Sequence, residues 1–293
     1  MNIALTVLNI TAPVFLLAAV GFFWVKLGFE YRVEFVTRLA MTLSVPCLIF
    51  VALIRTEIAP EALAAISLAS LGAYAVVMVG CLVLVRLLRL DVATYVAPLS
   101  FGNTGNLGLP LALFAFGEIG LGYAVVVFAV MAILSFTIGI WLVSGGGSLV
   151  RVVKEPLVAA TLLGALFLWQ GWQTPAFLTN AMDLIGQMAI PMMLITLGVA
   201  IARLQTKAIG QAIILSVIKV LICVAAGWAA TRVFDLEPVA AAVLIVQLAT
   251  PVAVTSYLLA EKYGTDAMPV AGLVVVSTVL SVIALPLILA FVI

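Results

Sequence analysis

Histidine is absent from this 293-residue chain, and only 9% of its side chains are charged. Without histidine there is no Ser–His proteolytic pair and no histidine metal site. The twelve acidic residues lie in loops or near the ends of apolar segments, with Asp183 and Glu118 coming closest to a core. The paired aspartates of an intramembrane protease are therefore missing. A carboxylate proton relay or a carboxylate-built sodium site is poorly supported, although neutral oxygens leave sodium binding open. Cysteine is scarce as well. Cys47, Cys81 and Cys223 sit inside apolar segments without C-x-x-C spacing, which argues against a disulfide framework or a metal site. A net charge of +1 gives no basic footprint for nucleic acid. The run Gly145–Ser148 is followed by no P-loop lysine, which excludes ATP hydrolysis by this chain. No catalytic residue, metal or cofactor is expected.

What fills the chain instead is apolar sequence, at 66% of residues and a mean hydropathy of +1.39. Soluble domains carry roughly 25% charged residues, so the polar surface needed to coat a water-soluble globule does not exist here. A span needs about 20 apolar residues. Ten segments qualify: 3–25, 35–54, 62–85, 92–116, 121–143, 156–172, 181–201, 208–231, 238–260 and 268–292. The first is too long for a signal-peptide core and has no basic region before it, so it reads as a span. Pro60, Pro156, Pro238 and Pro269 stand where first helical turns would lie, a position proline tolerates. Asn180, with Asp183 three residues on, is the expected cap of the seventh helix.

Basic residues divide unevenly between the two sides. Lys26, Arg32, Arg38, Arg86, Arg89, Arg151, Lys154, Arg203, Lys207 and Lys262 occupy the odd-numbered loops, against Arg55 and Arg232 on the other side. The positive-inside rule then places the odd loops in the cytoplasm and both termini outside an inner membrane.

The chain divides into residues 1–143, a linker at 144–155 of flexible composition, and residues 156–293. Five spans precede the linker and five follow, so the second half enters the membrane inverted, as in many secondary transporters. Pro46 and Pro191 interrupt the second helix of each half, 145 residues apart, and the same offset carries Asn106 onto Pro251. Helix four contains Gly102-Asn-Thr-Gly-Asn-Leu-Gly-Leu-Pro110, and helix nine contains Gln247-Leu-Ala-Thr-Pro251. Proline removes a backbone donor and glycine disfavours helix continuity. Gly105 and Gly108 mark the expected break in helix four. Such breaks are tolerated at membrane depth only where buried in protein or lining a wet cavity. For Pro46 and Pro191 a simple kink is the competing explanation.

Asn103-Thr-Gly-Asn-Leu-Gly-Leu-Pro-Leu111, followed by Phe116-Gly117, resembles the helix-four signature of the auxin efflux carrier family. Ile245-Val-Gln-Leu-Ala-Thr-Pro251, continuing through Leu259-Ala-Glu-Lys-Tyr-Gly264, resembles its helix-nine signature. That family includes plant PIN-FORMED carriers and bacterial malate or malonate permeases. The resemblance implies a ten-helix inverted repeat whose helices four and nine cross at broken points near the substrate, and a possible homodimer. It places Asn103, Pro110, Gln247 and Pro251 at or beside that crossing. The long hydrophilic loop of the plant carriers is missing, so regulation through that loop is not implied.

A broken helix exposes backbone N–H groups at the start of its second half, where the macrodipole is positive. Two such starts, expected near Pro110 and Pro251, form an anion site. Asn103, Asn106, Gln247 and Thr250 would add neutral hydrogen bonds to a carboxylate, or for Asn106 and Thr250 equally satisfy the broken backbone. Lys219 lies near the middle of an apolar segment, where a lysine costs on the order of 3 kcal/mol. It should face the interior, either attracting an anion or neutralising half-helix C-termini. The expected function is secondary transport of small organic anions, such as carboxylates or auxin-like acids, across the bilayer. The alternatives are a sodium-coupled symporter of the bile-acid type and a non-transport membrane scaffold.

Overall fold

The computed structural model describes residues 3–55, 58–144, 156–203 and 209–293, and everything regular in them is helical. The segment 145–155, which holds most of the expected linker, lies outside the described residues, as do Arg151, Lys154 and Lys207. Eleven helical segments are described: α1 (Ile3–Lys26), α2 (Val33–Arg55), α3 (Pro60–Leu87), α4 (Val92–Ser100), α5 (Thr104–Ser144), α6 (Pro156–Gln170), α7 (Ala176–Arg203), α8 (Ile209–Val233), α9 (Pro238–Leu248), α10 (Val254–Tyr263) and α11 (Ala267–Val292). Among the described residues seven helices are long and apolar enough to cross a membrane, and residues 159–170 and α9 form shorter apolar helices. Large apolar side chains such as Leu16, Leu87, Phe177 and Phe291 stand exposed along their length. A water-soluble surface of that kind would aggregate; against lipid it is the expected outer face. The chain is a multi-pass membrane protein.

Several helices carry their interruption where the backbone chemistry requires it. Pro46 cannot donate to the turn before it, and α2 absorbs the missing bond in a π-turn at Ala40–Ser44. Pro191 has the same effect on α7, which is interrupted at Met188. Both prolines therefore deform a helix that continues. The start of α7 corrects an expectation. It begins at Ala176, directly after Pro175, so Asn180 and Asp183 lie inside the helix and cap nothing. Proline at the entry set the start earlier, and the Asp183 carboxylate instead accepts from Arg55 Nη1 at 3.0 Å, tying α7 to α2.

α5 is two arms joined at Gly117, whose φ of 66° and ψ of −155° are open to glycine and strained for other residues. The chain folds back there. A Cβ on Gly120 would lie 2.7 Å from the carbonyl oxygen of Ala112, eight residues earlier, an approach no straight helix allows. The second arm, 118–144, then runs back along the first, with Phe128 against Gly105, and sets Gly139 against Phe101 at the end of α4.

The helices pack as two groups. In one, α1 lies along α7 so closely that Gly198 meets the carbonyl of Ala18, while α2 packs on α6 and α7. In the other, α8 packs against α3, α9 and α11, while α5 lies against α3 and α9. The larger apolar core centres on this second group and extends to Ile49 and Leu53 of α2 and Met193 of α7. A smaller one joins the two: Leu107, Leu111, Val246 and Ala249 dock against Val14 of α1 and Leu194 of α7. The loop between α1 and α2 is pinned to α7 by Tyr31, whose hydroxyl meets Thr196 Oγ1 at 2.8 Å and whose carbonyl accepts from Arg203 at 2.7 Å.

Candidate functional site: a crossing of two broken helices

Two interruptions meet in the second group. Between α4 and α5 the chain leaves helical geometry at Phe101–Asn103, with Phe101 extended at φ −108° and ψ 112°. Between α9 and α10 it does so at residues 249–253. The two unwound stretches run antiparallel and bridge at Gly102 and Val252, and the Asn103 N–H donates to the Pro251 carbonyl at 2.7 Å. Each stretch thus supplies the partner that the other lost when its helix broke, which is how irregular backbone is tolerated at depth.

Glycine makes the approach possible. A Cβ on Gly102 would strike the Thr250 hydroxyl and lie 3.0 Å from the Thr250 carbonyl oxygen, and one on Gly108 would lie 2.7 Å from Gln247 Cδ. Gly105 and Gly108 fall just beyond the break, within a π-turn at Thr104–Gly108. Their missing side chains leave room for Phe128 and Gln247. The second halves begin at Thr104 and Val254, six residues before Pro110 and three after Pro251; both prolines are buried.

Lys219, on α8, is 1% exposed. Its Nζ donates to the Thr250 carbonyl at 2.7 Å and stands 4.0 Å from Cys223 Sγ. That carbonyl lies just past the C-terminal end of α9, where an unpaired acceptor and the negative end of the dipole both favour such a donor. The Thr250 hydroxyl donates back to the Gln247 carbonyl at 2.7 Å, and the Val252 N–H donates to Ser277 Oγ of α11 at 3.0 Å. Lys219 of α8 and Ser277 of α11 thus hold the α9–α10 connection from two neighbouring helices.

The polar side chains at the crossing are less well served. Gln247 is fully buried, and neither its Oε1 nor its Nε2 has a hydrogen-bond partner among the described residues. Asn103 is 5% exposed, and its Nδ2 is likewise without one. Leaving such groups unmade typically costs about 1–3 kcal/mol each, and the hydroxyls of Ser44, Tyr74, Ser100, Thr104 and Ser216 are in the same position among the described residues.

Asn103 and Asn106 open onto a cavity of about 70 Å³ on one side of the crossing. The first turns of α5 and α10 both reach it, through Gly105, Asn106, Thr255 and Ser256, and Phe101, Phe128 and Met131 form its apolar wall. Among the described residues no acidic side chain lines it. A smaller recess of about 30 Å³, lined by Asn106, Thr255, Met41 and Thr196, continues between the two helix groups. Gln247, Thr250 and Pro251 belong to the crossing and do not line the cavity, and neither does the buried Pro110. Ser135, Thr255 and Ser256 do line it and were not singled out from the sequence. A serine or threonine in an apolar helix normally bonds its own backbone, so its presence alone carries no signal. Spacing from the break does: Thr255 and Ser256 follow Pro251 by four and five residues, as the opening turn of a second half should.

A family model described as membrane transport protein matches the chain over residues 6–148 and 141–289. An uncharacterized transporter of the archaeon Methanocaldococcus jannaschii is 25% identical over 197 residues, an alignment spanning 64% of this chain and 64% of that protein's own length. The broken helices, their crossing and the signatures around Asn103 and Gln247 accord with these similarities, and the chain belongs to the membrane transport protein family, the auxin efflux carrier-like group.

Proposed function

We propose that this protein is a secondary carrier of small organic anions that works by alternating access around the crossing. The observation that carries the reading is the meeting of two half-helix starts on one cavity beside the unpartnered Asn103 amide. First-turn N–H groups have no intrahelical partners and sit at the positive end of the dipole. A carboxylate placed against the starts of α5 and α10 meets donors from both, as anions do at helix N-termini elsewhere. Asn103 Nδ2 and the Asn106 amide add directed neutral bonds, while Thr255 and Ser256 add hydroxyls. Lys219 contributes from behind, fixing the Thr250 carbonyl and so the angle at which α10 enters the site.

Ten spans arranged as a 5+5 inverted repeat accommodate these elements, with α4 and the first arm of α5 as the fourth span and α9 with α10 as the ninth. The offset of 145 residues supports this. It converts the bridge between Gly102 and Val252 into a contact between Gln247 and residue 107, and Gln247 does meet Gly108. With basic residues facing the cytoplasm of an inner membrane, both termini lie outside and the cavity opens inward. The recess between the two helix groups supports a mechanism in which one group moves against the other.

The proposal is tested by the melting temperature of the detergent-purified protein with malonate, malate or indole-3-acetate. At 100 times its dissociation constant a bound ligand stabilises by about 2.7 kcal/mol, a shift of several degrees. At least one of the three is expected to produce it in the wild type and none in Asn103→Ala. A wild type indifferent to all three would favour a scaffold instead, and stabilisation that requires sodium would favour coupled symport.

A further inference from the structure

The structure is polar and open on one side of the crossing and closed on the other. On the closed side lies the one fully buried amide that has no partner among the described residues, Gln247. Beyond it α11 buries a single face. Ser277 accepts from the Val252 N–H at the level of the crossing. Ser281, one turn further, is 3% exposed and, among the described residues, bonds its own helix through the Thr278 carbonyl. One and two turns beyond that, Leu285 and Leu289 enter the apolar cluster with Leu111 and Val246. Two serines and an amide thus lie sealed behind a plug of leucine and valine.

The internal offset says what these residues correspond to. Gly102, Ala132 and Phe136 line the open cavity, and 145 residues on stand Gln247, Ser277 and Ser281. We infer that Gln247, Ser277 and Ser281 line a second solute cavity on the opposite side of the crossing, which is formed when the protein opens the other way. This rests on the carrier reading and assigns residues to its second state. There the Gln247 Nε2–H groups point at the carboxylate that Asn103 holds in the first state, and the two hydroxyls take the place of Ser135 and Ser256. It also accounts for the unpartnered amide. A group that must bind solute in one state stays unsatisfied while the apolar plug excludes water in the other.

Side-specific labelling tests it. Ser256→Cys and Ser281→Cys are each made in a Cys47→Ala background, which removes the one partly exposed native thiol, and reconstituted so that either face can be treated with an impermeant methanethiosulfonate. Ser281→Cys changes one atom and should fold. Ser256→Cys is expected to react from the side bearing the basic loops, and Ser281→Cys from the other. Reaction of both from one side, or protection of Ser281→Cys from both sides in a variant that still exchanges malonate, overturns the inference while leaving the carrier reading intact. No reaction at Ser256→Cys from either side overturns the carrier reading as well. Gln247→Met gives an independent readout. It removes the unsatisfied amide at nearly constant shape, so the melting temperature is expected to rise while transport is lost. A fall in melting temperature would assign Gln247 a purely structural place and reject the inference.

Discussion

Gly102→Ala is expected to insert and fold yet lose transport by about two orders of magnitude. The added methyl group would strike the Thr250 hydroxyl and press to 3.0 Å on the Thr250 carbonyl oxygen. The hydroxyl cannot simply turn away, since it is bonded to the Gln247 carbonyl, and the carbonyl is held by Lys219. Relief must come from parting the two unwound stretches. Overpacking of this kind typically costs about 1–3 kcal/mol, which a multi-pass bundle survives. The larger consequence is positional. A displacement near 1 Å among groups that must hold a reacting or bound partner in register costs about a hundredfold, and both half-helix starts hang from these stretches. Gly72→Ala supplies the control, because its nearest neighbour would be the Phe234 ring at an ordinary 3.6 Å. Exchange of labelled anion by Gly102→Ala at the wild-type rate would show that the crossing tolerates separation and does not position solute.

Lys219→Met is the second substitution with a large expected effect, and two opposing terms decide its sign. Removing a lysine from membrane depth avoids a cost of about 3 kcal/mol, yet it leaves the Thr250 carbonyl buried and unpaired, at about 1–3 kcal/mol. The first term largely cancels, because the inserted but unpacked chain carries the same lysine in the same bilayer. The second term exists only in the packed state and adds to the loss of a favourable partner for the end of α9. The melting temperature should therefore fall by several degrees, with or without malonate, and transport should fall with it. Lys219→Gln keeps a donor and should be milder. A lysine that attracted solute directly would behave differently: stability would hold and anion affinity alone would drop. Wild-type stability together with wild-type transport in Lys219→Met would defeat both roles.

Much of the crossing could be read before any geometry was known, because Gly, Asn and Pro concentrated in mid-apolar sequence have few other physical explanations. The expected spans ended at residue 116 and resumed at 121, and the chain does turn between them, at Gly117. The location of the break within helix four was not legible. Gly105 and Gly108 look like helix breakers, yet they lie in a helical turn and matter because Phe128 and Gln247 need the space. Glycine in a sequence does not reveal which of those two demands it meets. Asp183 misled for a related reason: a carboxylate three residues after an asparagine fits a cap, and only the tertiary fold brings Arg55 to it across 128 positions. That Lys219 should face inward followed from the cost of a central lysine. A half-helix C-terminus was one of its two expected partners, but which carbonyl it meets, 31 residues away, has no side-chain signature.

The central claim is that a small organic anion crosses the membrane by way of Asn103 and the two half-helix starts. Its most direct test is counterflow in proteoliposomes: preloaded malonate, malate or indole-3-acetate driving uptake of the same labelled anion, measured side by side for the wild type and Asn103→Ala. The expected result is rapid exchange of at least one of these anions by the wild type and severe loss of that exchange in Asn103→Ala, with insertion unchanged. Equal exchange by both proteins, or none by a wild type shown to be folded and inserted, would contradict it.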